Sequence, residues 1–127
     1  MSQSLSLPEL RDRLELLLEE YLGRYPSGQK AVWVCPPEPP SVPNEIQCLI
    51  QRVPESRIDF LSAGQRYSDR NYVLILTNFN RETSLSSALD KIVANLPVRQ
   101  YTYMPITEQS YEQARLLVYD PVVINGV

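Results

Sequence analysis

Lys30, Lys91, Cys35 and Cys48 are the side chains on which acid/base or covalent chemistry would have to be built, because the chain contains no histidine. Histidine is the commonest general base near neutral pH and the commonest metal ligand. Without it, a nucleophilic serine, threonine or cysteine needs a lysine or a carboxylate beside it. A Lys30-based or carboxylate site is the only enzymatic reading these residue types leave. Glu19-Glu20 falls on the solvated side of a helical pattern, and Asp59 and Asp69 are separated by loop and strand, so the acids read as solvated charges. Cys35 and Cys48 flank a proline-rich stretch and form no C-x-x-C pair, which argues against zinc. They are either small apolar fillers in a reduced intracellular protein or the two ends of a Cys35–Cys48 bridge. The four glycines, Gly23, Gly28, Gly64 and Gly126, are isolated, so no glycine-rich loop is available to cradle a phosphate. No catalytic residue, cofactor or metal is expected, and the chain reads as a non-enzyme.

Arginine outnumbers lysine ten to two, and eight tyrosines accompany one tryptophan and two phenylalanines. Arginine and tyrosine are enriched at protein interfaces, where a planar multidentate cation and a semi-rigid amphipathic ring give contact area at small ordering cost; lysine is depleted there. Tyr21 and Tyr72 sit on apolar patterns and read as core. Arg66-Tyr67-Ser68-Asp69-Arg70 and Asn80-Arg81-Glu82 are clusters in polar segments that carry both charge signs, suited either to contacts between identical subunits or to ordinary solvated loops. The formal net charge of −3 lacks the basic excess needed to neutralise several phosphates, so tight nucleic-acid binding is not expected. No basic leader followed by an apolar run opens the chain, and no apolar stretch reaches the ~18–20 residues of a membrane span. An aqueous location is expected.

At 127 residues, with 43% apolar and 21% charged residues, the chain suits one domain over 1–127 with one core. Ser6-Leu7-Pro8-Glu9 fits a capping box. Leu7, Leu10, Leu14, Leu17 and Tyr21 then follow at alternating spacings of three and four, predicting a helix from Leu7 to Leu22 that Gly23 and Pro26-Ser27-Gly28 stop. Leu16 points away from that stripe, either as a lone exposed leucine or as a subunit contact. Ala31 to Cys35 reads as a strand, cut off by five prolines within residues 36 to 43 that form a stiff arm, either a rigid connection or a recognition element. Ile46 to Val53 and Arg57 to Leu61 are strand candidates, and Ala63 to Asn71 a polar loop. Tyr72 to Thr77, apolar on both faces, predicts a central strand. Thr83 or Ser84 caps a second helix from Ser84 to Leu96, whose Leu85, Ala88, Leu89, Ile92, Val93 and Leu96 share one arc. Val98 to Met104 reads as a strand, Ser110 to Ala114 as a short helical turn, and Leu116 to Tyr119 as a strand ended by Asp120-Pro121; Val122 to Val127 is either a final strand or an arm. The order α-β-β-β-α-β-(turn)-β predicts an α+β fold, a mixed and mostly antiparallel sheet of about four to six strands packed with two main helices.

The leucine-rich opening helix, the short strand with its proline loop, the segment Glu45 to Glu55, and above all Tyr72 to Phe79 leading into the helix Ser84 to Leu96 and a Pro-bounded strand resemble, over most of the chain, the tail terminator proteins of tailed bacteriophages. The resemblance is one of layout, with no catalytic motif. It implies a structural virion protein of the tail and neck, assembled in the host cytoplasm. Such a protein forms a homo-oligomeric, hexameric ring on the end of the tail tube, stops its polymerisation and joins the tail to the neck connector, or stopper, protein. A sheath protein is a further partner if the tail is contractile; DNA only passes through, and no membrane is involved. Glu38, Arg52 and Arg57 join Leu16 and the two arginine-bearing clusters as expected contacts. Another small neck or head-tail joining protein, or a monomeric adaptor that uses the proline arm, is the alternative.

Overall fold

The computed structural model describes the backbone of residues 7–52, 58–60 and 65–125, and the side chains of 7–52 and 72–118. Helix α1 (Leu7–Leu17) is followed by strands β1 (Val32–Cys35), β2 (Ile46–Arg52), β3 (Ile58–Phe60) and β4 (Gln65–Asn78), helix α2 (Ser86–Asn95), and strands β5 (Val98–Met104) and β6 (Glu112–Asn125). The strands form one sheet in the order β1-β2-β4-β6-β5, with β3 also paired to β4. β1 runs parallel to β2, and the other neighbours are antiparallel. This is the expected α+β fold, with β4 at its centre.

Alternation along the strands sorts the side chains between two faces. Cys48, Ile50, Leu74, Leu76, Ala114 and Leu116 meet Leu10, Leu14 and Leu18 of the first helical segment and Leu85, Ala88, Leu89 and Ile92 of the second in one core. Each such leucine or isoleucine contributes about 1.5–3 kcal/mol when fully buried. Arg13 of α1 donates to the Asn95 carbonyl at the end of α2, and the Lys91 Nζ sits 5.7 Å from the Tyr21 ring centroid, so the helices lie side by side on this face. The other face carries half-buried Leu49, Val73 and Leu117 among exposed Gln51, Gln100 and Arg115.

Several local expectations are corrected. The first helix ends at Leu17, five residues early, and a turn leads Leu22 into a parallel bridge with Ile46. The Gly23 amide then donates to the Ile46 carbonyl at 2.9 Å. A Cβ on Gly23 would lie 2.8 Å from that of Pro43, so glycine serves a close approach of chain to chain here. Ser6, and with it the capping box, lies outside the described residues, as do Val53, Arg57, Leu61, Ala63 and Gly64. Residues 65–71, expected as loop, belong to β4 and pair with β6. Instead of the expected helical turn from Ser110 to Ala114, Ser110 and Tyr111 end a loop and Glu112 starts β6, which runs through Asp120-Pro121 to Asn125 and makes the C-terminal segment a final strand. Val93 is 43% exposed, outside the core arc assigned to it. Cys35 and Cys48 are free. Their register partners, Gln51 and Val32, put them an odd number of positions apart, on opposite faces of the sheet.

Candidate interaction surfaces

At one end of the sheet, the loop from β4 to α2 (residues 79–85) lies against the loop from β5 to β6 (residues 105–111). Asn78 organises the first. Its Nδ2 donates to the Thr83 carbonyl and hydroxyl at 3.1 and 3.0 Å, and its Oδ1 accepts from the Asn80 amide. Asn80 in turn accepts from the Glu82 amide at 2.9 Å, the local pattern by which asparagine builds turns. In the second loop, the Thr107 hydroxyl accepts from the Ser110 amide at 3.0 Å. Arg81 ties the loops together. Its Nη1 donates to the Thr107 carbonyl at 2.9 Å, and its guanidinium carbon lies 4.8 Å from the Tyr111 ring centroid, a cation–π contact. Phe79 meets the same ring edge-on at 5.0 Å.

Glu112 lies beneath this platform, 6% exposed. Its Oε1 accepts from the Leu85 amide at 2.7 Å and from Asn78 Nδ2 at 3.4 Å, and its Oε2 accepts from the Tyr103 hydroxyl. The carboxylate thus caps α2 from another strand, in place of a cap by Thr83. Ser84 does take the Ser86 amide, at 3.2 Å. A negative charge at a helix N-terminus is stabilised by its free amides and dipole. Donation to Glu112 holds the Tyr103 hydroxyl above the usual tyrosine range, with a smaller contribution from burial.

The neighbouring edge strand β5 is nearly all exposed. Tyr101, Tyr103 and Met104 on the strand, and Ile106 and Tyr111 in the loop, form a rim 40–52% exposed. Between Gln100 and Met104 this edge has no charge and no proline, the devices that ordinarily discourage strand addition.

The opposite flank is concave. A groove of about 540 Å³ runs between the proline arm and β2, lined by Cys35, Pro36, Pro39, Val42 and Leu49, with Glu38 and Arg52 among its polar residues. The arm is fastened in place: Trp33 Nε1 donates to the Pro37 carbonyl at 2.6 Å. Tyr25 packs edge-on against Trp33 at 5.8 Å, and its hydroxyl accepts from Gln47 Nε2 at 3.0 Å. Burial raises the Tyr25 hydroxyl, which the Gln47 bond partly offsets; burial and the nearby Glu38 charge raise the Cys35 thiol.

Of the residues singled out from sequence, the structure therefore brings together Glu38 with Arg52 in the groove, and Asn80, Arg81 and Glu82 in the platform. Leu16 stands apart on α1, 73% exposed. Arg66, Tyr67, Asp69 and Arg70 lie in register with Ile124, Val123, Pro121 and Asp120, while Arg57 is outside the described residues. Lys30 Nζ is 3.5 Å from Glu19 Oε1, in an ion pair on the surface. Among the described residues no group of three or more Cys, Asp and Glu side chains is placed to hold a metal ion, and no helix is long and apolar enough to cross a membrane. The sequence reading missed Tyr103, Met104, Ile106, Tyr111 and Glu112. The usable signal was the tyrosine-rich β5 segment, which lacks the apolar alternation of a strand buried on one face. No family model matches the chain, and no curated protein matches it.

Proposed function

We propose that this protein is a structural component of a tailed-phage virion, a tail terminator that closes into a ring on the end of the tail tube. There it stops tube polymerisation and offers its other face to the neck connector. The observation that carries this reading is the unlikeness of the two flanks of the sheet: a groove beneath the proline arm beside β1 and β2, and a projecting apolar rim on β5 and its loop. Different surfaces on opposite flanks suit head-to-tail association, which closes into a ring when the rotation per copy allows it. The layout of the opening helix, proline loop, central strand and second helix supports the same reading, as does a net charge of −3, which leaves little attraction for DNA sliding through a channel. A monomeric adaptor would account for the groove and leave the apolar rim on the other flank without a purpose.

Light scattering after size exclusion over a concentration series, with negative-stain imaging of the heaviest peak, tests the proposal. A closed hexameric ring is expected, either free in solution or on purified tube ends. A strict monomer under both conditions overturns it.

A further inference from the structure

Resting on the ring reading, we propose that the tip of the β5–β6 loop of one copy seats in the groove beneath the proline arm of the next. Ile106 and Met104, 42% and 40% exposed, are the apolar projection, and Pro36, Pro39, Val42 and Leu49 are the apolar walls that receive it. Charge decides the occupant. The groove presents Glu38 and Arg52. The tip presents Glu108, two residues from Ile106 in the chain, and Arg81, which the Thr107 carbonyl holds beside it at 2.9 Å. The tip thus carries one charge of each sign, the opposites of the two in the groove: Glu108 answers Arg52, and Arg81 answers Glu38. Opposite-charge matching of this kind fixes the register of an interface and discriminates against wrong partners. A chain cannot fill its own groove from this loop, because β1 and β5 are the outer strands of a five-strand path, about 19 Å apart at ~4.8 Å per strand. The contact is heterologous and leaves one free tip and one free groove at the ends of any open chain of copies, which closure of a ring removes.

Crosslinking tests the docking directly. Val42 and Ile106 are 61% and 42% exposed, so Val42→Cys and Ile106→Cys leave the core untouched; all variants carry Cys35→Ala, because Cys35 lines the same groove, and the fully buried Cys48 is the remaining native thiol. With a short bis-maleimide, the double variant is expected to give a ladder of covalent species ending in a closed ring. A mixture of the two single variants is expected to give covalent dimers, and either variant alone none. Rings without a crosslink between positions 42 and 106 overturn the docking and leave the ring reading standing. A ladder of open chains that never closes supports the docking and overturns the ring. Dimers from Ile106→Cys alone show a two-fold contact and overturn the docking. No association and no crosslink at any concentration overturns both. As a second arm, Arg52→Glu and Glu108→Arg are each expected to weaken association about tenfold, and the two together to restore most of it; a double variant no better than either single one overturns the charge register.

Discussion

Glu112 is a carboxylate held almost out of water by three donors from three elements: the Leu85 amide at the start of α2, Asn78 of β4 and Tyr103 of β5. Glu112→Ala orphans the buried Leu85 amide, whereas Asn78 keeps its Thr83 partners and the Tyr103 hydroxyl can turn to water, so denaturant unfolding should show a loss of about 2 kcal/mol. Cys48 makes a different prediction. Burial pushes its thiol up to about 12 from an ordinary 9.0, so the folded state retains a proton that the unfolded chain releases first. A raised folded value means that the contribution is complete below the unfolded pKa and is lost as pH rises from about 9 towards 12, by up to about 1.4 kcal/mol per pH unit. Unfolding free energy measured between pH 9 and 11 should fall less steeply in Cys48→Ala than in the native protein, whatever the offset between the two curves. The raised Tyr103 hydroxyl acts in the same sense and is present in both.

Among the elements, the two platform loops are rigid because each is closed internally by asparagine or threonine side chains and Arg81 bridges them. Arg81→Ala removes the bridge without touching the core. Its expected signature is faster amide hydrogen exchange over residues 105–111, with global stability changed by less than about 1 kcal/mol. The arm on the other flank is held by a different device, an indole N–H on the Pro37 carbonyl braced by Tyr25. Both flanks therefore present their side chains from fixed backbone, which lowers the ordering cost of any contact they make.

Across the whole molecule, the sheet has a body and an extension. β2 covers β4 from Tyr72 to Asn78, and β5 reaches β6 as far as Val118, whereas the β4–β6 ladder continues from Asn71 with Tyr119 to Gln65 with Asn125. Beyond the last β2 partner, the ribbon's only other pairing among the described residues is the three-residue β3. Narrow ribbons are marginal in water on their own, so contact with a neighbouring copy in the proposed ring would stabilise this one. Arg66 and Arg70 lie on it. Replacing both with glutamate is expected to leave the circular dichroism spectrum and the unfolding transition close to native while lowering the assembled fraction by light scattering. Unchanged assembly removes the ribbon from the interface.

Fold class was legible in the chain because it follows from periodicity. Val98 to Met104 is a strand with the expected ends, Tyr72 to Thr77 is central, and the leucines at alternating spacings of three and four in α1 do face the core. Residues 65–71 show where that reading stops. Arg66 to Asn71 are polar enough to read as a loop, and what makes them a strand is a ladder to residues 119–125, some fifty positions away. Local polarity carries no information about a distant partner, and neither Asp120 nor Pro121 interrupts a strand whose register is already set by its neighbours. At the start of α2, Ser84 takes the Ser86 amide as expected, but the Leu85 amide is satisfied by a glutamate 27 residues on. Composition raised arginine and tyrosine only as candidate contact residues; the folded sheet alone placed a groove on one flank and an apolar rim on the other, because the two flanks are assembled from segments that the sequence keeps far apart.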